Sequence, residues 1–340
     1  MAAGRRVVSG MRPTGPLHLG HYVGVLRTWA ALQGDHDCFF FTADWHALVD
    51  RREESGRVAG WIREMVADWI ACGVDPERCT MFVQSAVPEH LEFFWILGSL
   101  APVGMLERSP TYKEEAARLG GGEAPSYALL GYPLLQAADV ALYRGERVPV
   151  GEDQVAHLEL AREIVRRLKR TYGVALPEPE PLLTDAPRLV GTDGRAKMSK
   201  KLDNCIYLSD DAATVERRVR GMYTDPRRVR ADVPGRVEGN PVFVYHDLFN
   251  SDRGEVEDLK ARYREGRVGD VEVKERLARA LNAFLEPVRR RRAEILADAE
   301  GLERILRRGI ERARREARET LGAVRRALGG NSSAFGGGLR

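Results

Sequence analysis

No stretch of this sequence comes near the roughly eighteen uninterrupted apolar residues of a membrane span. The basic Arg5 and Arg6 are followed by only two valines, too short an apolar run for a secretory leader. The chain is therefore expected in the cytoplasm, without a membrane partner. Cysteine is scarce: Cys38, Cys72, Cys79 and Cys205 are scattered with no CxxC spacing, which argues against a disulfide framework or zinc site and leaves reduced thiols. Net charge is small as well, +3 from 53 basic and 50 acidic residues, so any polyanionic partner must be met by a local patch. No internal repeat is present. What the chain does have is 340 residues with 44% hydrophobic content, enough for one large or two ordinary domains with real cores.

The order of elements points to an α/β fold. Arg6-Val-Val-Ser9 reads as a strand, Tyr22 to Gln33 as a helix, and Cys38-Phe-Phe-Phe-Thr-Ala43 as a second, buried strand ending before Asp44-Trp45-His46. Residues 56 to 72 put Trp61, Met65 and Trp69 on one helical stripe beside Ile62, Val66 and Ile70, a pattern of core or subunit packing. Met81 to Gln84 is a third strand, residues 90 to 106 and 126 to 143 are helical, and Gly120 to Gly122 marks a mobile loop. Arg147 to Val150 is a short strand, and Gly151-Glu-Asp-Gln154 opens a helix. Strand and helix alternate, so a Rossmann-like, doubly wound parallel sheet is expected over residues 1–208. Val174 to Pro187 holds four prolines and reads as an extended connection. From Ser209 the pattern is helical, which predicts an all-helical C-terminal domain over 209–328 and a disordered Gly/Ser-rich tail over 329–340.

Two elements far apart in sequence carry the chemistry. Met11-Arg-Pro-Thr-Gly-Pro-Leu-His18-Leu-Gly-His21 joins a strand to a helix start, where unpaired N–H groups and the helix dipole favour an anion. Gly20 there removes a side chain that would hold a ligand off the backbone. Gly191-Thr-Asp-Gly-Arg-Ala-Lys197-Met-Ser-Lys200-Lys201 is a loop rich in glycine and cations. Activating a carboxylate with a nucleoside triphosphate needs donors on the α-phosphate and cations on the departing pyrophosphate, and the two elements supply one each. A third feature bears on the substrate. Tyr132 to Tyr143 is apolar on every face except Gln136 and Asp139, so Asp139 is expected to be buried and paired. A carboxylate acceptor in an apolar slot suits an indole, whose one polar atom is a donor.

His18-Leu-Gly-His21 and Lys197-Met-Ser-Lys-Lys201 resemble the HIGH and KMSKS motifs of class I aminoacyl-tRNA synthetases, with Leu19 for isoleucine and Lys201 where serine is usual. From residue 6 to about 328 the chain is similar to the bacterial tryptophanyl branch of that class. Ser9 to Gly15, Ala43-Asp-Trp-His46, Tyr132-Pro-x-x-Gln-Ala-Ala-Asp139 and Val150-Gly-Glu-Asp-Gln154 carry the likeness. The resemblance implies ATP as substrate with Mg²⁺ bridging its phosphates, L-tryptophan and tRNA(Trp) as partners, and a homodimer. It places Thr14, His18 and His21 at the phosphates, Lys197 and Lys200 at the pyrophosphate with Lys113 as a third cation from a facing loop, and Arg12, Pro13, Gly20, Glu152, Ser199 and Lys201 among the ATP-binding residues. Gly151 and Asp153 fall to the ribose and Leu189 and Met198 to the adenine. Tyr132, Gln136 and Gln154 fall to the polar end of tryptophan, and Val148, Val150, His46, Asp139 and Val8 to its side chain. With no cysteine in residues 206–340, the iron–sulfur centre of some relatives is not expected.

Alternatives stay open on the residues alone. Tyrosine could also donate to Asp139, although tyrosine-specific relatives typically carry a first-strand tyrosine where Val8 stands. A cytidylyltransferase shares the HxGH helix start, a paralogue could keep the fold for a non-catalytic binding role, and His18 with His21 could bind zinc only with a third ligand. Residues 301–330 hold nine arginines against four glutamates, either a phosphate-binding surface for tRNA or a solvated face with i,i+4 pairs.

Overall fold

The computed structural model describes residues 4–118, 124–183 and 189–329, without the side chains of Asp50, Arg118 and Asp153. The expected loop at Gly120–Gly122 and most of the expected tail lie outside the described residues. The first half runs β1 (Arg6–Met11), α1 (Leu19–His21), a π turn (Tyr22–Leu26), α2 (Arg27–Leu32), β2 (Asp37–Thr42), α3 (Asp44–Arg51), α4 (Val58–Ala71) and β3 (Cys79–Val83). It continues with α5 (Glu89–Gly98), α6 (Val103–Leu106), α7 (Pro110–Arg118), α8 (Tyr127–Leu142), β4 (Arg147–Val150), α9 (Val155–Tyr172) and β5 (Glu180–Leu183). Helices α10 (Ala212–Arg220), α11 (Pro241–Phe249), α12 (Arg253–Arg264), α13 (Asp270–Ala297) and α14 (Ala299–Ala327) follow.

The sheet is parallel throughout, in the order β3-β2-β1-β4-β5. Side chains alternate along each strand, so Val7, Cys38 and Phe40 enter one core while Val8, Phe39 and Phe41 enter the other. Strand order reverses between β1 and β4, and ligands of such sheets bind at the carboxyl ends of the strands on either side of that reversal. The loops after β1 and β4 are the segments from His18 and from Gly151.

Four expectations need correcting. The proline-rich connection contains β5, which pairs with β4 alone; Pro181 is tolerated because an edge strand has a side that needs no donor. The helix expected over 90–106 is two helices, α5 and α6, with Pro102 directly before the second. Lys113 stands on α7, not in a loop. The helix after His18 is regular only from Arg27, because residues 22–26 form a π turn, a device frequent at functional sites. The Trp61, Met65, Trp69 stripe is core, with Trp69 edge-on to Trp29 and Trp29 stacked on Phe40.

The helical half is not set apart by its own core. Val215, Phe243, Leu277 and Leu281 join Met65, Val66 and Trp69 in one apolar cluster. Helix α14 returns to lie along β3, so close at Gly309 that a Cβ there would sit 1.7 Å from the Met81 carbonyl oxygen. Several arginines of α14 are committed to this contact: Arg308 pairs with Glu77, Arg312 with Asp37, Arg318 with Glu89 and Arg325 with Glu92. Glu316 answers from the helix to Arg6 and Arg144. The expected phosphate-binding surface is therefore, at these four arginines, a seam between the last described helix and the sheet edge with α5.

Candidate functional site

The chain leaving β1 turns at Pro13 to Pro16 and delivers His18 to the start of α1, where its side chain caps the helix. Nδ1 of His18 accepts from the Gly20 N–H at 3.1 Å, and Nδ1 of His21 accepts from the His18 N–H at 3.1 Å. With both Nδ1 atoms occupied as acceptors, each neutral imidazole carries its proton on Nε2 and offers a donor there. Neutrality is enforced. Burial, with the nearby charges of Lys200 and Lys197, pulls His18 down to about 3, and burial with the same neighbours holds His21 well below the ordinary histidine range. Gly20 has a reason within the fold as well: a Cβ there would meet the His18 ring at 2.9 Å, so the missing side chain makes room for the capping imidazole.

The cationic loop folds over this start. Val190 and Lys197 pair across a small hairpin, with Gly191 N–H bonded to Ala196 O and Met198 N–H to Leu189 O. Asn204 locks it: its Nδ2 donates to Asp193 at 3.1 Å and its Oδ1 accepts from the Ser199 N–H at 2.7 Å. Lys200 then reaches across to β1's loop and donates to the carbonyl oxygens of Thr14 and Gly15 at 3.1 and 3.0 Å. Burial and the charge of Arg51 lower its ammonium to about 8. Lys197 and Lys201 are exposed beside it, while Leu189 and Met198 are buried in the adjoining core. Imidazole donors and ammonium groups thus converge on one space, a donor set that suits phosphate oxygens.

Across the switch point lies a second polar cluster. Asp139 on α8 is buried and held by three side chains: Gln84 Nε2 reaches both carboxylate oxygens at 2.8 and 2.9 Å, His90 Nδ1 lies at 2.6 Å and His46 Nε2 at 2.9 Å. Burial alone would raise its pKa, but the hydrogen bonds from His46 and His90 prevail and bring it to about 2. It is a carboxylate, and its partners must donate. His90 passes the constraint outward, since its Nε2 stands 2.7 Å from the Tyr143 hydroxyl.

Tyr132 belongs to a neighbouring chain of bonds. Its hydroxyl is 2.8 Å from His157 Nε2, Thr111 Oγ1 is 3.1 Å from the same atom, and His157 Nδ1 is 2.9 Å from Gln154 Oε1. Gln154 Oε1 can only accept, so Nδ1 donates and a neutral His157 accepts the Tyr132 proton at Nε2. The phenol oxygen keeps lone pairs for a cationic ligand. Burial raises the Tyr132 hydroxyl, offset in part by Thr111 and by the charge of Arg12, which places Arg12 at this end of the site. The His46 ring meets Tyr132 edge-on at 6.2 Å and so ties the two clusters together.

Most of the expected residues gather here. Val8, Val148 and Val150 are buried on the Asp139 side of the sheet, Gln136 is half-buried one turn after Tyr132, and Gly151 and Glu152 are exposed beyond β4. The Asp153 side chain lies outside the described residues. Lys113 is exposed two residues after Thr111. The residues missed were Gln84, His90, Tyr143, His157 and Asn204. Gln84 had a signal, a polar side chain at the carboxyl end of a buried strand; the others become legible only once the chain is folded.

The family model described as class I tRNA synthetases for W and Y matches residues 3–286. A tryptophan–tRNA ligase of Treponema pallidum is 53% identical over 326 residues, 95% of this chain and 96% of that protein. One from Chlamydia caviae is 47% identical over 329 residues, 95% of each chain. Among solved structures, Campylobacter jejuni tryptophanyl-tRNA synthetase with ADP and tryptophan superposes with a TM-score of 0.87 at 31% identity, covering 95% of this chain and 99% of that one.

Proposed function

The chain belongs to the class I tRNA synthetases for tryptophan and tyrosine, and from that premise we infer a tryptophan–tRNA ligase. The observation that selects tryptophan within the family is Asp139, an ionised, buried acceptor with Val8 in place of a first-strand phenol. In the first step the tryptophan carboxylate attacks the α-phosphate of ATP in line. An O–P bond forms, the bond to the β-phosphate bridging oxygen breaks, and tryptophanyl-adenylate and pyrophosphate result. In the second, a terminal hydroxyl of tRNA(Trp) attacks the activated carbonyl and AMP leaves. No residue need be acylated.

Each cluster has its part in this reading. His18 and His21 donate from Nε2 to phosphate oxygens as neutral groups, so their strength on developing charge does not depend on their own protonation. Lys200 exchanges the Thr14 and Gly15 carbonyls for pyrophosphate oxygens, with Lys197 and Lys113 as further cations. Gly151 and Asp153 hold the ribose, and Leu189 and Met198 border the adenine. Tyr132 and Gln154 take the ammonium and carboxylate end of tryptophan, with Gln136 beside them, while Asp139 accepts from the indole N–H and Val148 and Val150 wall the ring. Mg²⁺ would arrive as a complex of the ATP phosphates. The groups around His18 are donors and ammonium ions that do not suit a cation, so no step is routed through it.

Amino-acid-dependent ATP–pyrophosphate exchange tests the assignment. Tryptophan should support exchange and tyrosine should fall short by about 10²-fold, since a phenol that donates to Asp139 still leaves part of the apolar slot walled by Val148 and Val150 unfilled. Exchange with tyrosine and none with tryptophan would overturn it.

The tRNA partner comes with the family. The seam along α14 moves the proposed phosphate contacts to the arginines of the helical half that face away from the sheet. A homodimer fits the exposed apolar side chains Leu91 and Trp95 on α5, Val103 on α6 and Tyr127 at the start of α8, with Trp95 74% exposed. Trp95→Arg should convert a dimer to a monomer in sedimentation velocity; an undisturbed dimer would place the interface elsewhere. Among the described residues no helix is long and apolar enough to cross a membrane, and we assign the enzyme to the cytoplasm with its tRNA.

A further inference from the structure

Beneath the loop that carries His18 lies a carboxylate to which the reaction gives no part. Asp68 on α4 is 1% exposed. Its Oδ1 accepts from Arg292 Nε on α13 at 2.7 Å, and the same guanidinium reaches Glu64, one turn earlier on α4, at 3.3 Å. Burial raises the Asp68 pKa, and Arg292 and the backbone N–H of Leu17 act against it, so the carboxylate also faces the residue just before His18. Two turns earlier on the same helix, the Trp61 ring packs under Gly15. Helix α4 is thus a platform for the loop from Gly15 to Leu17, and α13 is fastened to that platform by Arg292.

The opposite side of the loop is held by backbone. The Leu17 carbonyl accepts from the Leu208 N–H, and the Leu19 N–H donates to the Ile206 carbonyl, each at 2.9 Å. His18 sits between these two bonds, so a shift of Leu17 is passed directly to its ring. A buried ion pair adds little to stability compared with apolar residues of the same shape, so an acid here is better explained by the direction it imposes. We propose that Asp68 and Arg292 are a positioning pair that fixes the Leu17 backbone, and through it the His18 imidazole, relative to the helical half of the chain. The inference rests on the reading that His18 meets the triphosphate.

The test is a double-substitution cycle on tryptophan-dependent ATP–pyrophosphate exchange, with the full-length wild type assayed alongside. Asp68→Asn and Arg292→Gln should each lower kcat by about 10-fold, in line with the cost of small misplacements at a reacting centre. The tryptophan KM should stay within about twofold, and the double variant should be no slower than the worse single, because the pair acts as one unit. Arg292→Lys, which keeps the charge, should recover part of the loss. An unchanged kcat in both single variants, losses that multiply in the double, or a tryptophan KM that rises in step with the fall in kcat would each overturn the proposal. If Asp68→Asn fails to fold, Arg292→Gln and its lysine rescue decide alone. Failure of the wild type to use tryptophan would instead refute the ligase assignment, so the two failures are distinguishable.

Discussion

Asp139→Asn should raise the tryptophan KM in pyrophosphate exchange by about 10²-fold or more while moving the ATP KM little. Two costs add. The carboxylate now accepts from Gln84, His46 and His90, and an amide would turn an NH₂ toward at least one of those donors, leaving buried hydrogens opposed. The indole N–H would lose an ionised acceptor, and bonds to charged partners are the stronger kind. ATP is spared because its donors sit on α1 and the Lys200 loop, on the other side of the switch point. Steady-state kinetics with each substrate varied in turn measures both constants. An unaffected tryptophan KM would show that another group receives the indole.

Removing the Lys200 ammonium, as in Lys200→Ala, should lower kcat for adenylation by about 10²- to 10³-fold, the range for losing one preorganised donor to developing charge. The sign of the pH dependence follows from its surroundings. Burial, then Arg51, lowers this lysine from its ordinary value to about 8, so in the free enzyme the charge is present below pH 8 and lost above it. Because kcat/KM reports the free enzyme, the wild-type value for ATP should fall as pH rises through about 8. Lys200→Ala should lie low and flat across that interval, and Lys200→Arg should move the fall to higher pH. His18 adds no acidic limb above about pH 3. A wild-type profile level from pH 7 to 10 would show that Lys200 does not carry its charge to the phosphates.

The sequence was most legible where one physical rule dominated. The buried run at Cys38–Ala43 could only be an inner parallel strand, and the lone acid in the apolar Tyr132–Tyr143 segment had to be buried and paired. The identity of its partners was out of reach, because Gln84, His90 and His46 arrive from three other elements and no local spacing links them. Proline content hid β5, since an edge position cancels the penalty that proline carries elsewhere in a sheet. The partners of the α14 arginines were out of reach for a related reason: the arginine count is a property of sequence, but Asp37, Glu77, Glu89 and Glu92 are brought to them by how the chain returns on itself.

That return also orders events in time. Until α14 has left the ribosome, β3 stands as a bare edge with unpaired amides and carbonyls, the feature that promotes strand pairing between chains. Synthesis proceeds from the amino end at about 5–20 residues per second, so the sheet waits many seconds for the helix that covers it, with Glu77, Glu89 and Glu92 without their α14 arginines meanwhile. Those three acids, one in the turn before β3 and two on α5, place negative charge near the open edge of the nascent chain. Charge beside an edge disfavours pairing with another edge, so the acids that bind the final helix also suit the strand it covers to standing uncovered.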